Sequence, residues 1–152
     1  MRLYYVLAGL IGLGLATGVV RGLGLRFNLT SSLRVGIYRV SVEPPARGSI
    51  VHVCLSREVA EFARSRGYLG PGRCPSGVRP LEKVVLAVEG ELVSLERDEI
   101  RVNGRAIPNS STVLEDSRGR ALPHYPWGDH RIGSKEIWLF SPHLRNAYDV
   151  RY

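Results

Sequence analysis

The sequence has little cysteine, little lysine and few long apolar runs, and each shortage narrows the class of protein. Its 152 residues include two cysteines with no histidine pair near them, so no tetrahedral zinc set is present and we expect no metal or cofactor. Only one apolar stretch is long enough to cross a bilayer, which excludes a multi-span transporter. Polar low-complexity tracts are absent too, which excludes wholesale disorder and a collagen-like fibre.

Positive charge dominates the chain, yet almost none of it is lysine. The formal net charge is +7, and of 21 basic residues only Lys83 and Lys135 are lysines. The arginines are spread without a run, and no aromatic residues alternate with them as in proteins that stack on single-stranded nucleic acid. We therefore expect no nucleic-acid partner, and instead attraction to anionic membrane lipid.

The amino-terminal segment predicts export of the rest of the chain. Residues 3–20 carry no charge, and as a helix they reach about 27 Å, close to the thickness of a hydrocarbon core. We predict a membrane anchor and linker over residues 1–26, with Arg2 on the cytoplasmic side, and one exported domain over residues 27–152. A cleavable signal peptide is the alternative, since Ala16-Thr17-Gly18 loosely matches a processing site.

The two cysteines agree with export. Cys54 follows a strand-like segment, and Cys74 lies in a turn rich in glycine and proline. The two cysteines therefore flank a short segment that we expect to lie outside the β-sheet. In an oxidising compartment we expect a disulfide bond between them, with two unpaired thiols as the alternative.

Short strand patterns separated by turn residues fill the exported part. We predict strands over residues 35–42, 50–55, 83–88, 92–95, 100–102 and 136–140. Asn103-Gly104 predicts a two-residue hairpin turn, and Ser56 as N-cap predicts a helix over residues 57–66 that stops at Gly67. The expected fold is mainly β, an antiparallel sheet domain with one small helical insertion after an amino-terminal transmembrane helix.

Three segments carry residues suited to chemistry. Thr30 and Ser32 belong to a hydroxyl cluster just before a predicted strand. Lys83 opens an apolar strand, where burial lowers the pKa of an amine well below about 10.4. A neutral amine beside a serine hydroxyl acts as a general base and activates the nucleophile. The third segment holds Asp149 and Arg151, close together near residue 152.

Seven short motifs follow one another along the chain. They are Asn28-x-Thr30-x-Ser32-x-x-x-Gly36-x-Tyr38, Arg66-Gly67-Tyr68-Leu69-Gly70, Gly72-x-Cys74-Pro75-x-Gly77, Pro80-Leu81-x-Lys83-x-Val85, Val102-Asn103-Gly104, Gly119-Arg120-x-Leu122-Pro123 and Tyr148-Asp149-x-Arg151-Tyr152. Together they resemble the TraF-type conjugative-transfer peptidases of the serine-lysine signal peptidase superfamily. The likeness covers most of the exported part.

The resemblance implies a role for each residue of the site. Ser32 would be the nucleophile and Lys83 the general base. The Thr30 hydroxyl and the backbone N–H of Ser32 would stabilise the oxyanion, with Asp149 and Arg151 as supporting residues. A signal-peptidase-like β fold and no cofactor are implied as well.

The resemblance also implies a substrate and a place in the cell. The partner would be an exported membrane-associated precursor, typically a pilin or another conjugation or type IV secretion component. It would be cut after small residues and, in some relatives, joined into a circle. The enzyme would cross the bacterial inner membrane once, in contact with lipid, with its catalytic domain in the periplasm. The oligomeric state is not predicted.

Two other functions stay open at the level of sequence. One is a general preprotein signal peptidase with many substrates. The other is an inactive scaffold of the secretion apparatus, because Ala147 and Val150 replace serines common in the family's last motif and Arg34 replaces a proline. In relatives, the serine at the position of Ala147 can hydrogen-bond the catalytic lysine, so its loss would weaken the orientation of Lys83.

Overall fold

The computed structural model describes residues 4–6, 10, 12, 14, 15, 18, 22–28, 33–142, 149, 151 and 152. They fall into two compact units, Met1–Pro44 and Pro45–Tyr152. The described residues between 4 and 18 are helical. Within these described ranges, no helix is both long and apolar enough to span a membrane. The predicted membrane segment, residues 3–20, lies partly outside them, and the anchor stays a prediction.

The first unit contains one antiparallel hairpin. Strand β1 (Leu25–Asn28) pairs with strand β2 (Gly36–Arg39), with Asn28 opposite Gly36. Strand β1 was not predicted, and β2 is shorter than the predicted strand over residues 35–42 because pairing with β1 ends at Arg39. The hairpin brackets the segment that contains the predicted nucleophile.

Side chains of the first motif close this hairpin. Asn28 is buried, and its Nδ2 donates to the carbonyl oxygens of Leu33, at 3.4 Å, and Arg34, at 3.2 Å. The Tyr38 hydroxyl donates to the same Arg34 oxygen at 2.5 Å. Asn28 therefore links the end of β1 to the residues just before β2, and Tyr38 fixes the same carbonyl group from within β2.

The second unit contains two antiparallel sheets, which confirms the mainly β prediction. In the described residues the first sheet has three strands in the order β3 (Ile50–Val53), β4 (Leu81–Val88) and β9 (Ile137–Phe140). The second has four strands in the order β7 (Arg105–Ile107), β6 (Ile100–Val102), β5 (Leu92–Leu95) and β8 (Gly128–Arg131). Strand β4 is the central strand of the first sheet and pairs with a neighbour on both edges.

One hydrophobic cluster joins the two sheets. Its buried residues are Leu86, Ala87, Trp138 and Phe140 from β4 and β9, and Val93, Leu95, Ile100 and Val102 from β5 and β6, with Ile132 between them. Burial of this apolar area is the main force that holds the sheets together. The cluster fixes β4 and β9, the two strands that carry the site described below.

The hairpin between β6 and β7 forms as predicted. Asn103 and Gly104 both have positive φ, 49° and 79°, as a type I′ turn requires. Strands β7 and β8 were not predicted, because their sequences, Arg-Ala-Ile and Gly-Asp-His-Arg, lack the apolar alternation that marks a strand.

The helical insertion and the disulfide bond are also present. Helix α1 (Arg57–Ser65) begins at Ser56, whose Oγ accepts a hydrogen bond from the Val59 N–H at 3.4 Å. Cys54 and Cys74 form a disulfide bond that brackets the helix. Ala60 and Val78 pack with Cys74 in a second, smaller core. This small core holds α1 against the end of β3.

The glycines of the third motif are explained by a tight hairpin. A Cβ at Gly72 would lie 2.4 Å from the Cα of Arg79, too close for any side chain. Gly77 has a φ of 76°, a conformation that L side chains rarely adopt. The carbonyl oxygen of Gly77 accepts the Gly72 N–H at 3.0 Å and closes the turn around Cys74.

A polar cross-link joins the insertion to the loop around residues 114–122. The Tyr68 hydroxyl donates to Asp116 Oδ2 at 2.6 Å, and Arg120 Nε donates to the same oxygen at 2.7 Å. The hydrogen bond from Tyr68, with others from Arg120, holds the pKa of Asp116 well below its ordinary value. Arg66 completes the link by donating to the Ala121 carbonyl oxygen at 2.7 Å.

Candidate active site

Lys83 is buried in the first sheet. It lies on β4 opposite Val51 of β3, and only 5% of its surface is exposed. Burial lowers the pKa of the Lys83 amine from 10.5 to about 8; the charge of Asp149 opposes this shift and that of Arg151 adds to it. A substantial fraction of the amine is therefore neutral near pH 8, which is the form that accepts a proton.

A serine that the sequence analysis did not single out contacts this amine. Phe140 pairs with Val84, and continuing that antiparallel register places Ser141 opposite Lys83. Lys83 Nζ donates to Ser141 Oγ at 2.6 Å, and Ser141 is fully buried. Its sequence signal is a serine directly after a predicted strand, but that becomes informative only once the register between β4 and β9 is known.

Asp149 and Arg151 form a buried ion pair next to Ser141. Arg151 Nε and Nη2 donate to the two carboxylate oxygens of Asp149 at 2.7 and 2.8 Å. Asp149 Oδ2 also accepts the backbone N–H of Ser141 at 3.0 Å. Arg151 Nη1 donates to the Ser111 carbonyl oxygen at 2.8 Å. The ion pair is thus linked to Lys83 through one residue.

Aromatic rings enclose the Arg151 guanidinium, which is fully buried. Its central carbon lies 5.1 Å from the centre of the Phe140 ring and 5.7 Å from that of Tyr152, within the range of cation–π attraction. The Tyr152 hydroxyl donates to the Val113 carbonyl oxygen at 3.1 Å, and burial raises the pKa of this hydroxyl. These contacts hold Arg151 and Tyr152 against the body of the second unit.

A cavity of about 330 Å³ opens beside Lys83. Its walls are mainly apolar and come from β3, α1, β4 and β9; they include Leu55, Val59, Leu81, Trp138 and Leu139. The mixture of an apolar lining with a few polar groups is typical of sites that bind a ligand. The arrangement can hold an apolar group of a substrate next to a proton acceptor.

The predicted nucleophile and oxyanion residues, Ser32 and Thr30, lie outside the described residues. Their roles stay predictions. Of the residues predicted to act in the site, the structure brings together Lys83, Asp149 and Arg151, and it adds Ser141 between them.

Comparison with known proteins agrees with the resemblance found in the motifs. A family model described as "Signal peptidase, peptidase S26" matches residues 5–152. The chain belongs to this signal peptidase family. Its S26 relatives include the "Plasmid transfer protein TraF" of Escherichia coli, 36% identical over 148 residues, which are 97% of this chain and 83% of that protein.

Two other S26 relatives carry similar names. The "Probable conjugal transfer protein TraF" of Sinorhizobium fredii is 38% identical over 132 residues, 85% of this chain and 68% of that protein. The "Conjugal transfer protein TraF" of Agrobacterium fabrum is 36% identical over 149 residues, which are 95% of this chain and 82% of that protein. No solved structure matches. The resemblance to TraF-type proteins is therefore confirmed, and with it membership of a family of signal-peptidase-type serine proteases.

Proposed function

We propose that this protein is a serine endopeptidase that cuts an exported, membrane-associated precursor, with Ser32 as nucleophile and Lys83 as general base. The observation that carries the proposal is the buried Lys83 amine, whose pKa is about 8, at the wall of an apolar cavity. Arginine in its place would stay protonated and could not accept a proton.

The first half of the reaction transfers an acyl group to Ser32. Ser32 Oγ attacks the scissile carbonyl carbon while the neutral Lys83 amine takes the hydroxyl proton. The oxyanion accepts hydrogen bonds from the Thr30 hydroxyl and the Ser32 backbone N–H. The C–N bond then breaks, and the Lys83 ammonium returns its proton to the leaving amine, which leaves an ester on Ser32.

The second half releases that ester. Water attacks the ester carbonyl and Lys83 takes one of its protons. Lys83 then passes that proton to Ser32 Oγ as the carboxylic acid product leaves and ionises in water. If the amino group at the other end of the precursor attacks in place of water, the same step forms a peptide bond and a circle. Both outcomes use the same two residues of this chain.

The cavity supports a substrate that is apolar next to the cut. An apolar cavity of about 150 Å³ already accepts benzene, so 330 Å³ has room for a bulky apolar side chain beside the small residue expected at the cut. The relatives' names refer to plasmid transfer or to conjugal transfer. A pilin or another component of a conjugation apparatus is therefore the proposed precursor, cut at the periplasmic face of the bacterial inner membrane.

The test is co-expression of candidate pilin precursors with the wild-type chain and with Ser32→Ala, followed by intact mass measurement. We expect cleavage with the wild type and none with Ser32→Ala. A circular product is lighter than the cut linear product by one water. Equal cleavage in both strains, or none in either, would count against the proposal, and cleavage of many unrelated secreted proteins would favour the general signal peptidase.

The pH dependence of cleavage gives a second prediction. Below pH 8 the Lys83 amine is increasingly protonated, so kcat/KM should fall about tenfold for each pH unit well below 8 and level off above it. Initial rates measured between pH 6 and about 10 check this. A profile that is flat from pH 6 to 8 would show that an amine with this pKa is not the base.

A further inference from the structure

Ser141 is held in a fixed place from two directions. Its side chain accepts from Lys83 Nζ at 2.6 Å, and its backbone N–H donates to Asp149 Oδ2 at 3.0 Å. Asp149 in turn is fixed by two hydrogen bonds from the Arg151 guanidinium. A serine that is merely buried needs one partner, whereas this one connects the amine to the ion pair.

The burial of Ser141 decides which role it can have. None of its surface is exposed. A nucleophile must reach the carbonyl carbon of a bound peptide, and a hydroxyl without an exposed face cannot do so. Ser141 therefore does not replace Ser32 as the nucleophile, although its hydroxyl is in hydrogen-bond contact with the amine.

The hydrogen bond with Ser141 controls the direction of the Lys83 lone pair. A neutral amine has two N–H groups and one lone pair, and only the lone pair accepts the nucleophile's proton. When one N–H is directed to Ser141 Oγ, rotation about the last side-chain bond is restricted and the lone pair points away from Ser141. Without this acceptor the amine can rotate into unproductive orientations.

We propose that Ser141 is a positioning residue that orients the Lys83 amine and is itself fixed by Asp149 and Arg151. This inference rests on the proposed function, because it assigns Ser141 a part in the same reaction. The inference is tested by replacing Ser141 and the proposed function by replacing Ser32, so either can fail while the other holds.

The test compares Ser141→Ala with the wild type on the pilin precursor that the wild-type chain cuts. We expect kcat to fall about 10- to 100-fold with KM nearly unchanged, because substrate contacts stay intact. The rising limb of the pH profile should also move to lower pH, since loss of an acceptor destabilises the ammonium form. Ser141→Thr keeps the hydroxyl and should recover most of the rate.

The direction of the pH shift separates positioning from general damage. If Ser141→Ala only loosened the structure, water would reach Lys83 and the rising limb would move to higher pH, toward an ordinary lysine. Ser110→Ala is the matched control, because Ser110 is a buried serine whose hydroxyl contacts Ile100 and Ile107 and not Lys83. It should leave the midpoint of the profile unchanged.

Two results would overturn the inference while leaving the peptidase proposal intact. One is a Ser141→Ala enzyme with the rate and pH midpoint of the wild type, when Ser32→Ala is inactive. The other is a shift of the midpoint to higher pH in Ser141→Ala, whether or not Ser110→Ala shifts as well. Tryptophan fluorescence unfolding curves show whether each full-length variant is folded. If Ser141→Ala does not fold, Ser141→Thr, which keeps the hydroxyl, is the variant to compare with the wild type.

Discussion

Replacing Lys83 by methionine should reduce precursor cleavage by about 10⁴- to 10⁶-fold and leave the domain folded. The loss is large because nucleophile and base act as a unit, so removal of either removes most of the rate. Methionine has a similar shape and no charge, so it avoids the desolvation that lowers the pKa of the Lys83 amine. Quantitative mass spectrometry of the precursor after a fixed time measures the effect.

The other lysine in the sequence provides the control. Lys135 is exposed and its backbone N–H, not its side chain, bonds to Glu89, so Lys135→Met should cleave like the wild type. Lys83→Arg should be as inactive as Lys83→Met, because a guanidinium stays protonated. Cleavage by Lys83→Met within tenfold of the wild type would show that another group is the base.

The second large effect is on stability and concerns Asp149. Asp149→Asn keeps the shape of the side chain but leaves the fully buried Arg151 without its counter-ion, which should lower the free energy of unfolding by about 3–5 kcal/mol. Urea unfolding of the full-length chain measures this loss. Both tryptophans of the sequence, Trp127 and Trp138, belong to the second unit, so their fluorescence reports on its unfolding.

An exposed ion pair is the matched control for Asp149. Arg101 and Glu99 pair on the surface, and Arg101→Ala should cost at most about 1 kcal/mol. Replacing both buried partners, as Asp149→Leu with Arg151→Met, should recover part of the lost stability because neither charge of the pair is then left buried without its partner. A loss below 1 kcal/mol for Asp149→Asn alone would mean that water reaches Arg151.

Much of the fold follows from local sequence signals. Asn103-Gly104 determines its hairpin because few other residue pairs accept two positive φ values. Ser56 and Gly67 mark the ends of the helix through capping, which needs only neighbouring residues. The disulfide between Cys54 and Cys74 was predicted because the sequence has only two cysteines and its amino-terminal segment predicts export. These features depend on contacts close in sequence or on pairing with a single possible partner.

The environment of Lys83 could be predicted only in part. Its place at the start of an apolar strand indicates burial, and the family motif indicates its role. The contact with Ser141 joins residues 58 positions apart and depends on the register between β4 and β9, which the hydrophobic pattern alone does not specify. The burial of Arg151 is also unexpected from composition, since arginine is among the residues least often buried.

The order in which a ribosome makes this chain has a consequence for Lys83. Ser141 is made 58 residues after Lys83, and Asp149 and Arg151, whose charges act on the amine, are made later still. A nascent chain that lacks them leaves the amine in water, protonated and unable to act as a base at neutral pH. If Lys83 is the general base, as proposed, copies that stop before residue 151 should therefore lack a working base.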